Sequence, residues 1–330
     1  MTNAYITNQD ANSVSVINID TNTVTTTISI GSPTSGTGAS GVSVSPDGRQ
    51  VYITNLGLLT ANGAVSVIDV ATNAVVATIT VGSRPWGITF TPDGTIAYVA
   101  NGNSNSVSVI DTASQAVSTT ISLGGSVAYP GPQGIAITPD GSTAYITNLS
   151  SDSIAVVDVA TNTVTTTISL TSGSGPLAIA ITPDGTTAYV ANQTSGTVSV
   201  IDLATNTVST TITISSIALS SAVAVSSDGT TSYVSNERIN TVSVIDTATN
   251  TISSTVSGFN DPIGLSLTPD NSRLYVANAS GDSVSVVDTG SGTITATISL
   301  GMGTAPIAFG NFIQPGGIPC IMISNWFGCS

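Results

Sequence analysis

Side chains that do chemistry are scarce in this sequence of 330 residues. There is no His and no Lys, Glu237 is the only glutamate, and the four cations are Arg49, Arg84, Arg238 and Arg273. Histidine acid–base catalysis, His-ligated metals and haem, and Schiff-base lysines are therefore excluded. Four Arg against 18 acids leave no basic footprint to displace phosphate counterions, which excludes nucleic-acid binding. Asp, Tyr, Arg and Glu237 remain for acid–base work. Arg84 and Trp86 stand together, with Tyr129 in the next long connection and Leu56, Leu58 and Leu59 in a third loop. An Arg, an aromatic pair and leucines on neighbouring loops predict a binding patch; the alternative is that Trp86 packs beneath its own loop while Leu58 and Leu59 cover the protein. Glu237-Arg238, with Phe259 and Asp261, forms a second group, and oppositely charged neighbours also read as a solvated loop. Asp152 and Asp282 offer carboxylates to Ca²⁺, but six to eight oxygens are needed and no clustered ligand pattern accompanies them. No metal and no cofactor is expected.

The elements that position these residues come from a repeat. A tyrosine followed by a short step to Asn recurs seven times: Tyr5-Ile-Thr-Asn8, Tyr52-Ile-Thr-Asn55, Tyr98-Val-Ala-Asn101, Tyr145-Ile-Thr-Asn148, Tyr189-Val-Ala-Asn192, Tyr233-Val-Ser-Asn236 and Tyr275-Val-Ala-Asn278. Successive tyrosines are 47, 46, 47, 44, 44 and 42 residues apart. An Asp closing a Val-Ser-Val-Ile-like run keeps step at Asp20, Asp69, Asp111, Asp158, Asp202, Asp246 and Asp288. One carboxylate per repeat is too many for catalysis, so these Asp are expected to accept local backbone N–H bonds, and the tyrosines to pack the core. Within one repeat, Leu177-Ala-Ile-Ala-Ile-Thr182, Ala188-Tyr-Val-Ala191, Val198-Ser-Val-Ile201 and Thr207-Val-Ser-Thr-Thr-Ile-Thr-Ile214 read as four strands. Pro183-Asp184-Gly185 supplies the first turn. Four antiparallel strands repeated seven times predict an all-β, seven-bladed β-propeller over residues 1–313. The chain opens on a second strand at Tyr5, and a seventh inner-strand run, Ala305-Pro-Ile-Ala-Phe-Gly310, has no second strand after it. Residues 305–310 are thus expected innermost in the N-terminal blade, closing the ring and hiding two sheet edges.

Seven in-phase tyrosine motifs over residues 4 to about 313 resemble the YVTN family of β-propeller repeats. The resemblance implies an exported or cell-surface propeller, as in archaeal surface layers; related propellers include haem d1 domains, lactonases and streptogramin lyase. Composition points the same way. The formal net charge is −14 and charged residues are only 7% of the chain, where about 25% is ordinary. With 40% hydrophobic residues and a mean hydropathy of +0.38, the chain is too apolar for a disordered one. No run of 18 apolar residues predicts a membrane span, and residues 1–5 carry no signal-peptide pattern.

Asn148, Asn192 and Asn278 each open an Asn-x-Ser/Thr sequon, a glycan acceptor if the chain passes a glycosylating route. Outer strands rich in Thr suit either a wet strand or an ice- or carbohydrate-binding surface. Their edges lack the Lys that usually blocks strand pairing, which favours self-association. The tail, 314–330, is apolar, with Cys320 and Cys329 spaced to close a small disulfide ring in an oxidising compartment. It reads either as a contact segment displaying Trp326 and Phe327 or as a cover for one face. The expected function is a non-enzymatic extracellular or cell-surface binding and assembly module. Its partners would be a protein or carbohydrate at the loop rim, or further copies through the outer strands or tail. An intracellular scaffold or effector is the alternative, and a propeller lactonase or lyase the third reading.

Overall fold

The computed structural model describes residues 2–31, 38–57, 61–124 and 131–315. Among them the strands form seven antiparallel sheets, six of four strands and one of three, each sheet built from consecutive strands. Blade 5 is representative: inner strand Pro176–Ile181, second strand Thr187–Asn192, third strand Thr197–Asp202 and outer strand Thr207–Thr213. Burial is greatest in the second and third strands, the inner strand is partly open to the axis, and the outer strand keeps only Ile212 covered. No helix is long and apolar enough to cross a membrane among the described residues.

Closure is as the repeat phase requires. The N-terminal blade supplies Asn3–Asn8, Ser13–Asn18 and Thr23–Ser29, and its inner edge is taken by the C-terminal segment. Gln9 N–H donates to Ala305 O at 3.1 Å, Ile307 N–H to Thr7 O at 3.1 Å, and Tyr5 N–H to Phe312 O at 2.8 Å. Bridges join Asn8 to Pro306 and Ala4 to Ile313, so the segment bulges and runs past 310.

Each of the recurring residues has a local job. The motif Asn lies inside the blade, where the amides of Asn8, Asn101, Asn192, Asn236 and Asn278 each donate to two hydroxyls of the third strand. Four of the tyrosine hydroxyls clasp neighbouring blades: Tyr98 donates to Asn162 at 2.6 Å, Tyr145 to Asn206 at 2.8 Å, Tyr189 to Asn250 at 2.6 Å and Tyr275 to Asn22 at 2.6 Å. The carboxylates of Asp69, Asp111, Asp158, Asp202, Asp246 and Asp288 accept the backbone N–H three residues on. In the N-terminal blade that role belongs to Asn18, which accepts from Asp20 and Thr21 N–H, so Asp20 stands two residues out of phase. A Thr or Ser of the outer strand has a purpose at one site in six of the seven blades, Val76 taking that place in the other. Where the third and outer strands slip register, a hydroxyl such as Ser209 or Thr165 donates to the third-strand carbonyl, at 3.0 Å and 3.1 Å.

The third residue of every inner strand is small: Gly41, Gly87, Gly134, Ala178, Ala222, Gly264 and, in the closing segment, Ala308. A Cβ on Gly134 would lie 2.5 Å from Leu177 O, and one on Gly87 2.4 Å from Gln133 O. Inner strands of adjacent blades therefore touch backbone to backbone around the axis. Just beside that contact, Thr54, Thr147 and Ser235 donate to the next blade's inner-strand carbonyl at 2.7–2.8 Å.

Candidate functional site

Two positions of the repeat meet at one mouth of the axial channel. One is the residue after the motif Asn, at the start of the loop between second and third strands. The other is the second residue of each inner strand. At the first position stand Gln9, Leu149, Gln193 and Glu237; at the second, Trp86, Gln133, Leu177, Ser221, Ile263 and Ile307. With Phe309 they line a vestibule of about 250 Å³. Below it the channel narrows to a waist of about 70 Å³ lined by Ile88, Ile135, Ile179, Val223 and Leu265. It then widens to about 420 Å³ at the opposite face, where Thr89, Ser227, Ser266 and Asn271 appear.

Glu237 opens the short 3₁₀ turn Glu237–Ile239. The turn is anchored by Glu237 N–H to Leu219 O and Arg238 N–H to Ala218 O, both 3.1 Å, with Leu219 held at φ 50°. Its Oε2 accepts Ser221 Oγ at 2.8 Å and Gln193 Nε2 at 3.5 Å. Burial raises its carboxyl pKa, the Ser221 hydroxyl opposes that rise, and the like charge of Asp261 adds to it. A carboxyl displaced in this direction is a stronger base when ionised than an ordinary surface carboxylate.

The aromatic wall is Trp86 against Phe309, edge to face with centroids 5.9 Å apart. Thr54 Oγ1 fixes the Trp86 carbonyl at 2.7 Å, and the Arg84 guanidinium carbon sits 6.0 Å from the Trp86 ring centroid. Trp86 Nε1 and Gln133 Nε2 are buried donors with no acceptor among the described residues. Both residues line the vestibule, but these two nitrogens are themselves closed off from solvent.

Of the residues picked out by sequence, Trp86 and Glu237 meet in this vestibule. Arg84 backs Trp86 without lining the cavity, and Arg238 is exposed beside it. Phe259 is instead a core residue packed with Leu265 and Leu274. Leu58, Leu59, Tyr129, Cys320 and Cys329 lie outside the described residues. Asp152 accepts the N–H groups of Gly173 and Gly175, both at 2.7 Å, and Asp282 those of Gly303, Thr304 and Ala305. Their carboxylates tie blade crossings, and no three Asp, Glu or Cys converge on one point among the described residues. The sequon residues Asn148, Asn192 and Asn278 are buried, and the amides of the last two are spent on third-strand hydroxyls. A folded chain presents neither of those nitrogens to a glycan. Gln9, Gln133, Gln193, Ser221 and Phe309 were not singled out by sequence; the available signal is that the repeat varies at their positions.

Solved structures share the whole fold. Hydrazine synthase of Kuenenia stuttgartiensis aligns at TM-score 0.69 and 24% identity, covering 86% of this chain and 90% of that one. A functionally unknown protein from Desulfotomaculum acetoxidans aligns at TM-score 0.76 and 19% identity, covering 94% and 100%. A candidate 6-phosphogluconolactonase from Bacteroides uniformis aligns at 0.75 and 19%, covering 93% and 98%. No curated protein sequence matches the chain. The family model described as "Lactonase, 7-bladed beta-propeller" matches residues 1–120, 68–219 and 128–306, overlapping stretches that span most of the chain. That match overturns the expectation of a non-enzymatic surface or assembly module, because it points to a lactonase-like propeller instead. Of the two readings that the sequence offered for Glu237, a binding group or a solvated loop, the structure has it lining the channel mouth. The chain belongs to the seven-bladed β-propeller lactonase family.

Proposed function

We propose that the chain hydrolyses a lactone in the vestibule, with Glu237 as general base. The observation that carries this reading is the placement of the sequence's only glutamate, half-buried and raised in pKa, at the mouth of a channel that carries no other charge among the described residues. Glu237 takes one proton from a water as its oxygen adds to the lactone carbonyl carbon. The carbonyl oxygen becomes an oxyanion as that bond forms. On collapse the acyl C–O bond to the ring oxygen breaks. Glu237 returns its proton to that oxygen, leaving a hydroxy acid. Ser221 and Gln193 hold the carboxylate in place. The tyrosine repeat, similar to YVTN propellers, supplies the frame in this reading and no catalytic group.

The test is turnover of a panel of γ- and δ-lactones by the wild type and Glu237→Gln. Loss of a positioned general base lowers kcat by about 10²–10⁴-fold, with the variant still folded. Turnover unchanged in Glu237→Gln removes the base from Glu237, and no turnover of any lactone by the wild type ends the hydrolase reading.

A further inference from the structure

We infer, building on the lactone reading of the same vestibule, that the substrate is an uncharged lactone bearing an unbranched aliphatic tail that runs down the axial channel. Among the described residues the vestibule carries one charge, the carboxylate of Glu237, and no cation lines it. The Arg side chains are all placed elsewhere. Arg49 pairs with Asp47 on a surface turn, Arg238 is exposed, Arg273 donates to Ile19 O, and Arg84 stands over Trp86 outside the cavity lining. With a net charge of −14 around it, such a mouth repels a phosphorylated or carboxylated ring. An anionic substituent would have no partner to replace its lost hydration.

The channel is continuous from this mouth. Trp86, Gln133, Leu177 and Phe309 line both the vestibule and the waist, while Ile88, Ile135, Ile179, Val223 and Leu265 line both the waist and the opposite chamber. At about 70 Å³ the waist is smaller than the roughly 150 Å³ apolar cavity that takes a benzene ring. It therefore suits a methylene chain and rejects a second ring. A lactone ring held at Glu237 has its tail directed into this apolar bore.

The experiment pairs two ligand series on the full chain. The first is γ-lactones with unbranched alkyl tails of increasing length, beside a phosphorylated lactone, read as kcat/KM. The second is the matching γ-lactams, which resist hydrolysis, read by calorimetry as affinity. Both kcat/KM and lactam affinity are expected to rise about fourfold per added methylene until the tail leaves the waist, the fold-change that about 0.8 kcal/mol per buried CH₂ gives. The phosphorylated lactone is expected to be the poorest substrate. Val223→Phe, which narrows the waist, should flatten the length dependence of lactam binding while the melting transition stays cooperative. Length-independent kcat/KM and lactam affinity, or preference for the anionic lactone, overturns the tail assignment and leaves Glu237-dependent hydrolysis standing. Lactam affinity that climbs with length while no lactone turns over supports the apolar bore and removes the hydrolase reading. Flat lactam binding without turnover overturns both.

Discussion

Glu237 is balanced between opposing neighbours, and the balance is testable one side chain at a time. Ser221 Oγ donates to its carboxylate and so pulls the raised pKa back, whereas Asp261 repels its charge and pushes it up. A general base works only when deprotonated, so lactone kcat/KM should rise with pH through this pKa. Ser221→Ala removes the opposing hydrogen bond and should move the acid limb to higher pH. Asp261→Asn removes the like charge and should move it to lower pH. Limbs that shift together, or not at all, would detach the profile from Glu237. The site was only half legible in the sequence. Trp86 and Glu237 drew notice because their types are rare in the chain, but the rest of the wall is glutamine, serine and aliphatic residues of no special chemistry. What marks them is position. After the motif Asn the repeats read Gln9, Leu56, Gly102, Leu149, Gln193, Glu237 and Ala279, while the motif itself barely changes. Agreement among copies reports the frame, and disagreement at a channel-facing position reports the site. Phe309 sits in the closing segment that the sequence places innermost, and it is its type, an aromatic where Ile88, Ile135, Ile179, Val223 and Leu265 stand in other blades, that sets it apart.

The inner strand is the element that joins frame to site, and its third residue explains how. Seven strands crowd one axis, so each has Gly or Ala where its backbone meets the next blade. That contact breaks the regular ladder: the inner and second strands of blade 4 slip register between Pro132 and Ile135. Thr147 Oγ1 repairs the break, accepting Gly134 N–H at 2.8 Å and donating to Leu177 O at 2.8 Å. It thereby sets the backbone that presents Gln133 and Leu177 to the vestibule. Thr147→Val keeps the shape and strands a buried N–H and C=O, which costs about 1–3 kcal/mol per unsatisfied group. The expected result is a lower midpoint in chemical denaturation with an unchanged m-value, against Thr166→Val on the outer strand as an exposed control. Equal midpoints for the two variants would show that the staple adds nothing. Strand order, turn chemistry and closure were all legible, because alternation and Pro-Asp-Gly turns are local. The slips in register were not. They arise from crowding between blades, and one of them gives the Thr-rich outer strand its structural hydroxyl.

At the scale of the ring, the same side chains that shape seven blades also bound the pH range in which it holds. Turn carboxylates such as Asp93, Asp140, Asp184 and Asp228 are held below the ordinary range by Thr or Ser hydroxyls and backbone N–H groups, and Asp270 falls to about 2. A depressed folded-state pKa stabilises the fold above the unfolded value near 3.9, and that contribution is lost as pH drops toward 2. The tyrosines act in the opposite sense. Burial pushes Tyr5, Tyr52, Tyr98 and Tyr189 up to about 12 from an ordinary 10.0. A raised folded-state pKa stabilises the fold below 10 and ceases to do so as pH climbs through 12. Because the chain has no Lys and no His, little else in the blades titrates between these limits, Glu237 being the exception. Thermal stability should therefore stay nearly level from about pH 5 to 9. It should fall steeply below pH 4 as the turns protonate and again above pH 10 as the tyrosines are drawn out. The alkaline arm is the sharper check, since tyrosinate absorbance and circular dichroism report titration and unfolding separately. If the blades are clasped through buried phenols, the two signals change together, well above the pH at which free tyrosine ionises. Tyrosinate appearing near pH 10 with the sheet signal intact would mean that the phenols lie open to water and that something else holds blade to blade.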